Sequence, residues 1–259
     1  MKVFCKMITV SIVTPTFNSI EELQKNINSV SKQNLKNKEH IIVDNMSDDG
    51  TRELIEEYQS KADYPVIYIR EKDKGTYDAM NKGIRASRGE WVHILNSDDR
   101  YVSAKSLEFL MRQEICDYDI VANSIMVWHV ETNSYLEWIP EYRYKIDHYN
   151  FPHTGMVIKK KFYESHGLYN ENYKIISDAI FCMENIPKAK YKIIEEPLVI
   201  MASSGVSNKL SYLRMRESLI FIWVYYKGSF FEKIKYTFID TVRDFKILLR
   251  IIKTNLRNK

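Results

Sequence analysis

Over the first hundred residues, short apolar runs alternate with stretches in which apolar positions recur three and four apart. Val10-Ser11-Ile12-Val13, His40-Ile41-Ile42-Val43, Val66-Ile67-Tyr68-Ile69 and Trp91-Val92-His93-Ile94-Leu95 are too short for helices and read as buried strands. Between the first two, Ile20, Leu23, Ile27 and Val30 predict a helix from about Ile20 to Gln33, with Ser19-Ile20-Glu21-Glu22 as its capping box. Leu54, Ile55 and Tyr58 mark the inner face of a second helix. Tyr77, Met80 and Ile84 mark that of a third, which is expected to end at Gly89 as a left-handed cap. Strands alternating with helices in this way predict βαβ units: an α/β fold with a Rossmann-like, mostly parallel central sheet flanked by helices.

Beyond Asp119 the pattern changes, because Ser124 to Val130 and Tyr135 to Trp138 flank Glu131-Thr132-Asn133 as in a β-hairpin. From Leu210 the chain turns helical. Phe231, Ile234, Phe238, Val242, Phe245, Leu249, Ile252 and Leu256 form one apolar stripe, opposite Lys233, Lys235, Arg243, Lys246, Arg250 and Lys253. Such a stripe fits packing on its own domain or on a twin subunit, and the basic face equally fits an anionic membrane surface. The pattern leaves these readings open.

Composition narrows the picture. With 259 residues, 45% of them hydrophobic, the chain has the make-up of a globular protein. Its net charge of +4 is uneven: from Lys209 to Lys259 twelve Lys and Arg face four Asp and Glu, a net +8, which leaves the first 208 residues at −4. No nucleic-acid partner is expected. Cys5, Cys116 and Cys182 are odd in number and far apart, with no C-x-x-C pair, as in a reducing cytoplasm. The apolar stretch Met7 to Val13 has the look of a signal-peptide core, but Pro15 follows without a small-residue cleavage site, so a first strand is the better reading. The longest apolar run, Leu219 to Tyr226, is about half of the roughly 18 residues a membrane span needs. The expected location is cytoplasmic, with the tail available for attachment to the inner face of the plasma membrane.

In an open parallel sheet, ligands bind beyond the carboxyl ends of the strands, so the polar residues that follow each apolar run carry the chemistry. These are Thr14 to Asn18, Asp44 to Gly50, Glu71 to Gly75 and Asn96 to Asp99. Clustered carboxylates repel one another unless a cation sits among them or a polar ligand donates to them. A divalent metal bridging one carboxylate and two phosphate oxygens would suit such a crevice to a nucleoside diphosphate. No G-x-G-x-x-G follows the first strand and no Walker lysine loop is present, which argues against a glycine-rich phosphate cradle.

Taken together, Val10 to Asn18, Asp44 to Thr51, Glu71 to Gly83 and Leu95-Asn96-Ser97-Asp98-Asp99 resemble family 2 glycosyltransferases of the GT-A fold, over about 100 residues in matching order and spacing. The resemblance implies an inverting transfer from a nucleotide-sugar, most simply a UDP-sugar, to a glycan or lipid-linked glycan acceptor of a bacterial surface polysaccharide. Pro15, Thr16, Asp44 and Asp73 fall where the family binds uracil and ribose, and Asp98 where it contacts ribose or diphosphate. Asn18, Glu71, Asn81 and Lys82 lie in the same donor-binding segments, and Asp99 is the implied Mn²⁺ or Mg²⁺ ligand. Ile175-Ile176-Ser177-Asp178 resembles the segment that carries the family's catalytic base, which singles out Asp178; the alternative is an ordinary acidic residue at a helix start. Phe151-Pro152-His153-Thr154-Gly155 resembles a segment near the acceptor, with Thr154 where relatives often have glutamine, and makes His153 a candidate acceptor or phosphate contact. No histidine follows His166, so a metal-binding histidine near the C-terminus, known in some relatives, is absent. Ser203-Ser204-Gly205-Val206-Ser207 resembles a loop that closes over the donor. Without Q-x-x-R-W or membrane spans, addition of a single sugar is favoured over processive synthesis.

The expected organisation is then a catalytic domain over 1–208, with 1–100 its nucleotide-binding half and 101–208 its acceptor-side half, followed by a basic amphipathic tail over 209–259. The competing readings are a nucleotidyltransferase on a related sheet, which would want a basic glycine-rich first loop, and a nucleotide-sugar binding protein without turnover.

Overall fold

The four apolar runs become four neighbouring parallel strands in the computed structural model, which describes residues 9–129, 132–143, 148–202 and 212–257. β1 (Val10–Thr16) pairs with β2 (Lys38–Asp44) and β4 (Trp91–Ile94), and β2 pairs with β3 (Val66–Arg70). Every residue of β1 and β2 is buried, as expected of strands covered on both faces. The crossovers are α1 (Ile20–Ser31), α2 (Thr51–Lys61) and α3 (Thr76–Ala86). Alternate β1 side chains serve opposite faces: Val10 and Ile12 join Leu23, Ile55 and Trp91 on one side, and Val13 joins Ile41, Met80 and Phe162 on the other.

After β4 the sheet becomes mixed. Its further elements are β5 (Arg100–Tyr101), α4 (Ser106–Met111), β6 (Ile120–His129), β7 (Ser134–Trp138), β8 (Glu141–Arg143), β9 (His148–Asn150) and β10 (Met156–Lys159). α5 (Lys160–His166), α6 (Ser177–Asn185) and β11 (Tyr191–Ala202) follow. The strand order is β3-β2-β1-β4-β10-β6-β11-β5, with β10 antiparallel to both its neighbours, and β7 completes the expected hairpin with β6. β8 and β9 form a separate two-stranded sheet. The sheet is thus parallel through the first half of the chain and mixed beyond it.

Two local expectations are corrected. Ser19 precedes α1, but its hydroxyl bonds Thr16 (2.9 Å) and Ser97 (3.1 Å) instead of capping the helix. An Asp49 carboxylate oxygen accepts the Ile20 N–H at 3.0 Å in its place, so the capping box is absent. Nor is Gly89 a left-handed cap: α3 ends at Ala86, and Gly89 is needed because a Cβ there would stand 2.7 Å from the Ser11 nitrogen. Gly83 has a similar role inside α3, where a Cβ would meet Val13 Cγ1 at 2.1 Å. Gly83→Ala is therefore expected to cost about 1–3 kcal/mol through overpacking, although Ala is the better helix former. Urea unfolding checks this; unchanged stability would mean that α3 does not rest on β1 so closely.

The C-terminal region folds as α7 (Tyr212–Ile220), a π turn over Phe221–Tyr225, and the 28-residue α8 (Phe230–Arg257). Buried Arg214 joins the two helices by pairing with Asp244 and, at 3.4 Å, Asp240. The apolar stripe faces outward, with Phe231 81% and Phe238 69% exposed and Ile234 and Phe245 also exposed. Packing of these side chains on their own domain is excluded. The side chains of Arg243, Lys246, Leu249, Arg250, Ile252, Lys253 and Leu256, and the Ser203–Ser207 loop, lie outside the described residues. Among the described residues, no helix is long and apolar enough to cross a membrane.

Candidate active site

A cavity of about 630 Å³ opens where the carboxyl ends of β1 to β4 meet the start of α6. Pro15, Thr16, Asp73, Asp98, Asp99, His153 and Asp178 line it. Of the residues expected to bind donor, metal and acceptor, these are the ones the fold brings together.

Asp99, 1% exposed, has two unlike oxygens. Oδ2 accepts the Thr154 hydroxyl (2.7 Å) and an amide N–H of Asn96 (3.3 Å), whereas Oδ1 is buried with no hydrogen-bond partner among the described residues. Burial, and then the neighbouring Asp98, push the Asp99 carboxyl up to about 8. Asp98 is itself raised, mainly by burial. A buried acid beside a half-buried one, with one oxygen unpartnered at a cavity wall, is a setting in which a bound cation would restore the ionised form. Among the described residues, no group of three or more His, Cys, Asp and Glu is placed to hold a metal ion.

Thr154 is held in place by His93. The ring Nε2 lies 2.9 Å from the Thr154 carbonyl and Nδ1 2.7 Å from the Tyr101 hydroxyl. Burial lowers this histidine to about 4, so it is neutral. Because a carbonyl only accepts, Nε2 carries the proton and Nδ1 accepts from Tyr101.

Asp73 accepts the Gly75 N–H at 2.8 Å, and burial raises its carboxyl. Asp178, also on the cavity wall, lies in the first turn of α6; Oδ1 accepts the Tyr77 hydroxyl (2.7 Å) and the Ala179 N–H (2.9 Å). Its Oδ2 has no hydrogen-bond partner among the described residues. His153 contacts the Tyr169 hydroxyl at 2.8 Å, and burial lowers its pKa. His153 and Asp178 also line a side chamber of about 180 Å³ with Trp138, Asn150, Phe151 and Cys182. The Trp138 indole N–H is buried there without a partner among the described residues.

Other expected residues lie off the cavity wall. Asp44 is fully buried; it accepts from Ser47 N–H (2.9 Å), Ser47 Oγ (2.5 Å) and Tyr68 hydroxyl (2.7 Å), and Arg70 Nε stands 3.5 Å away. In this arrangement it shapes the turn after β2. Asn18, at φ 44°, joins the first two loops through Ser47 and Asp48. Asn81 anchors the Tyr169 backbone, bonding both its carbonyl (2.8 Å) and its N–H (3.0 Å). Glu71 pairs with Lys82 at 3.1 Å, and Lys82 also reaches Asp78 at 3.4 Å.

Sequence reasoning missed four contributors. Asn45 lines the cavity and accepts the Asp73 N–H at 2.9 Å, and Tyr77 holds Asp178. Thr154 holds Asp99, and Lys174 is the one cationic side chain on the wall among the described residues. Asn45 directly follows Asp44 in a loop already marked, so its place was within reach; Lys174 gave no signal.

The profile of Glycosyl transferase family 2 matches residues 11–172. TuaG of Bacillus subtilis, a glycosyltransferase ascribed to teichuronic acid biosynthesis, is 32% identical over 120 residues, which are 45% of this chain and 47% of TuaG. The chain thus spans less than half of that relative. Among solved structures, S. aureus TarS 1–349 in complex with UDP-GlcNAc aligns with TM-score 0.61 and 17% identity over 92% of this chain and 73% of that one. The mannosyltransferase PcManGT of Pyrobaculum calidifontis, in complex with GDP-Man and Mn²⁺, aligns with TM-score 0.60 and 16% identity over 82% of this chain and 61% of that one. At these identities the structural likeness concerns the fold. The profile match covers well over half of the sequence and carries every acidic strand end of the cavity, and on that basis the chain belongs to glycosyl transferase family 2.

Proposed function

We propose that this chain transfers one sugar, with inversion, from a UDP-sugar to a glycan or lipid-linked glycan acceptor of a surface polysaccharide, in a metal-dependent reaction. The observation that carries this reading is the unpartnered Asp99 Oδ1 beside Asp98, in a cavity that Asp178 also lines. Asp99, supported by Asp98, would hold Mn²⁺ or Mg²⁺, which when bound neutralises the charge of the departing diphosphate. Lys174 lines the same cavity, with its ammonium donating to the Lys74 and Glu171 carbonyls. Asp73, Pro15 and Thr16 form the nucleoside side; the carboxylate is suited to ribose hydroxyls. Asp178 Oδ2 takes the proton of the acceptor hydroxyl as that hydroxyl attacks the anomeric carbon, while Tyr77 keeps Oδ1 occupied and so orients the other oxygen.

The side chamber supports a sugar acceptor. It shares Asp178 and His153 with the main cavity and offers the Trp138 ring, with a spare N–H, to a pyranose. The TarS complex with UDP-GlcNAc makes a UDP-sugar the first donor to try. The test is release of nucleoside diphosphate from a panel of UDP-, GDP- and dTDP-sugars, with Mn²⁺ and with EDTA. Turnover of one donor, lost in EDTA, is expected; no turnover of any donor would refute the reading.

The tail reading is narrower. Phe231, Phe238 and Trp223 stand exposed on a helical region whose sequence carries a net +8, which favours an anionic membrane surface as its partner. The chain is expected to float with vesicles containing phosphatidylglycerol and to lose this in Phe231→Ser/Phe238→Ser, a pair too exposed to affect folding. Equal flotation would contradict it, and a dimer that the same pair dissociates, without vesicle binding, would assign the stripe to a second copy.

A further inference from the structure

The segment from Tyr173 to Asp178 carries two of the groups that face the cavity, Lys174 and Asp178, yet it enters regular structure only at Ser177. It is held from two sides. From the sheet side, the Tyr77 hydroxyl lies 2.9 Å from the Ile175 carbonyl and 2.7 Å from Asp178 Oδ1. From the opposite side, Glu217 of α7 takes both free amides: Lys174 N–H lies 2.9 and 3.1 Å from its two carboxylate oxygens, and Ile175 N–H lies 2.8 Å from Oε2.

Glu217 is 2% exposed and has no Lys, Arg or His ion pair among the described residues. A buried carboxylate without a cation is costly unless hydrogen bonds satisfy it, and here the partners are peptide N–H groups of one short stretch of chain. An apolar residue would serve better if α7 had only to pack. Three residues earlier, Arg214 fastens α7 to Asp240 and Asp244 of α8. Contacts therefore run without a break from the C-terminal helix to the two cavity-facing side chains.

We infer that Glu217 is a positioning residue: it fixes the backbone at Lys174 and Ile175 so that Asp178 presents its charge to the cavity, and the C-terminal helices are thereby a working part of the site. This rests on the reading of Asp178 as the base. In these hydrogen bonds Glu217 only accepts, so the isosteric Glu217→Gln, which puts a donor amide against one of the two N–H groups, is the sharpest probe. Glu217→Asp keeps the charge on a shorter arm.

The test combines amide exchange with turnover of the best donor from the nucleotide-sugar panel. In Glu217→Gln, the Lys174 and Ile175 amides are expected to exchange faster while β1, β2 and β4 keep their protection. Well below the melting temperature, kcat should fall about tenfold or more with donor KM within about threefold, and Glu217→Asp should recover part of the loss. In an Asp178→Asn background, Glu217→Gln should cost less than about twofold more, because both changes disable one group. A full further tenfold loss there, or wild-type turnover in Glu217→Gln, would overturn the inference. Should Glu217→Gln fail to fold, Glu217→Asp answers alone, through faster exchange confined to the same two amides together with reduced kcat; wild-type values in both would overturn it. Full turnover in Asp178→Asn would instead bring down the assignment of the base, and this inference with it.

Discussion

Asp99→Asn is expected to reduce sugar transfer by a factor of about 10²–10³, the usual cost of removing one group that stabilises developing charge. Asn has nearly the shape of Asp and can still accept from Thr154, so Oδ2's contact at 2.7 Å is kept. What it lacks is the second anionic oxygen, the one without a protein partner. Folding should not suffer, because the substitution removes a buried charge that its surroundings already disfavour, as the rise of Asp99 to about 8 indicates. The discriminating result is a variant that melts no lower than the parent while losing its response to Mn²⁺. A variant that transfers sugar normally would show that the metal, if used, is held elsewhere.

Asp178→Asn should lower kcat by a factor of about 10²–10⁴, the range that a positioned general base contributes, with donor affinity nearly intact. The split follows from the geometry. Asp178 lines the same cavity as Asp98 and Asp99, and the Tyr77 hydroxyl anchors one of its oxygens while the other is left for the acceptor. The Asn side chain can present its carbonyl to Tyr77 and the Ala179 N–H, which preserves the start of α6. Steady-state kinetics with the donor varied at fixed acceptor separates the two parameters. If KM for the donor rises while kcat holds, Asp178 binds substrate and another group removes the proton.

Much of this was legible in the sequence, and for an identifiable reason. Strands buried on both faces read as unbroken apolar runs, so β1, β2 and β4 and the polar residues at their ends could be located from periodicity alone. Within those polar stretches and the one after β3, the family resemblance singled out Thr16, Asp73, Asp98 and Asp99, and all four line one cavity. Beyond residue 100, position in the fold depends on pairings distant in sequence. β10 is a short apolar run like the others, but nothing local says that it inserts between β4 and β6.

Side-chain direction was harder to read than position. Asp44 and Asn81 sit at strand and helix ends as expected, yet one turns into its own loop and the other into the Tyr169 backbone. Ser19 and Gly89 were given the roles those residue types most often have; their hydrogen bonds and close approaches come from the first β-strand region instead. Glu217 and Lys174 were invisible, since a single charge in a polar stretch reads as solvated.

The most direct test of the account is thermal melting of the intact chain with UDP, with Mn²⁺, with both and with neither. Each ligand alone should leave the melting temperature nearly unchanged and the two together should raise it by several degrees, because a cation at Asp99 and a diphosphate at the same cavity each supply the charge that the other lacks. Identical melting in all four conditions, repeated with GDP and dTDP, would contradict the claim that these carboxylates and a metal jointly hold a nucleotide.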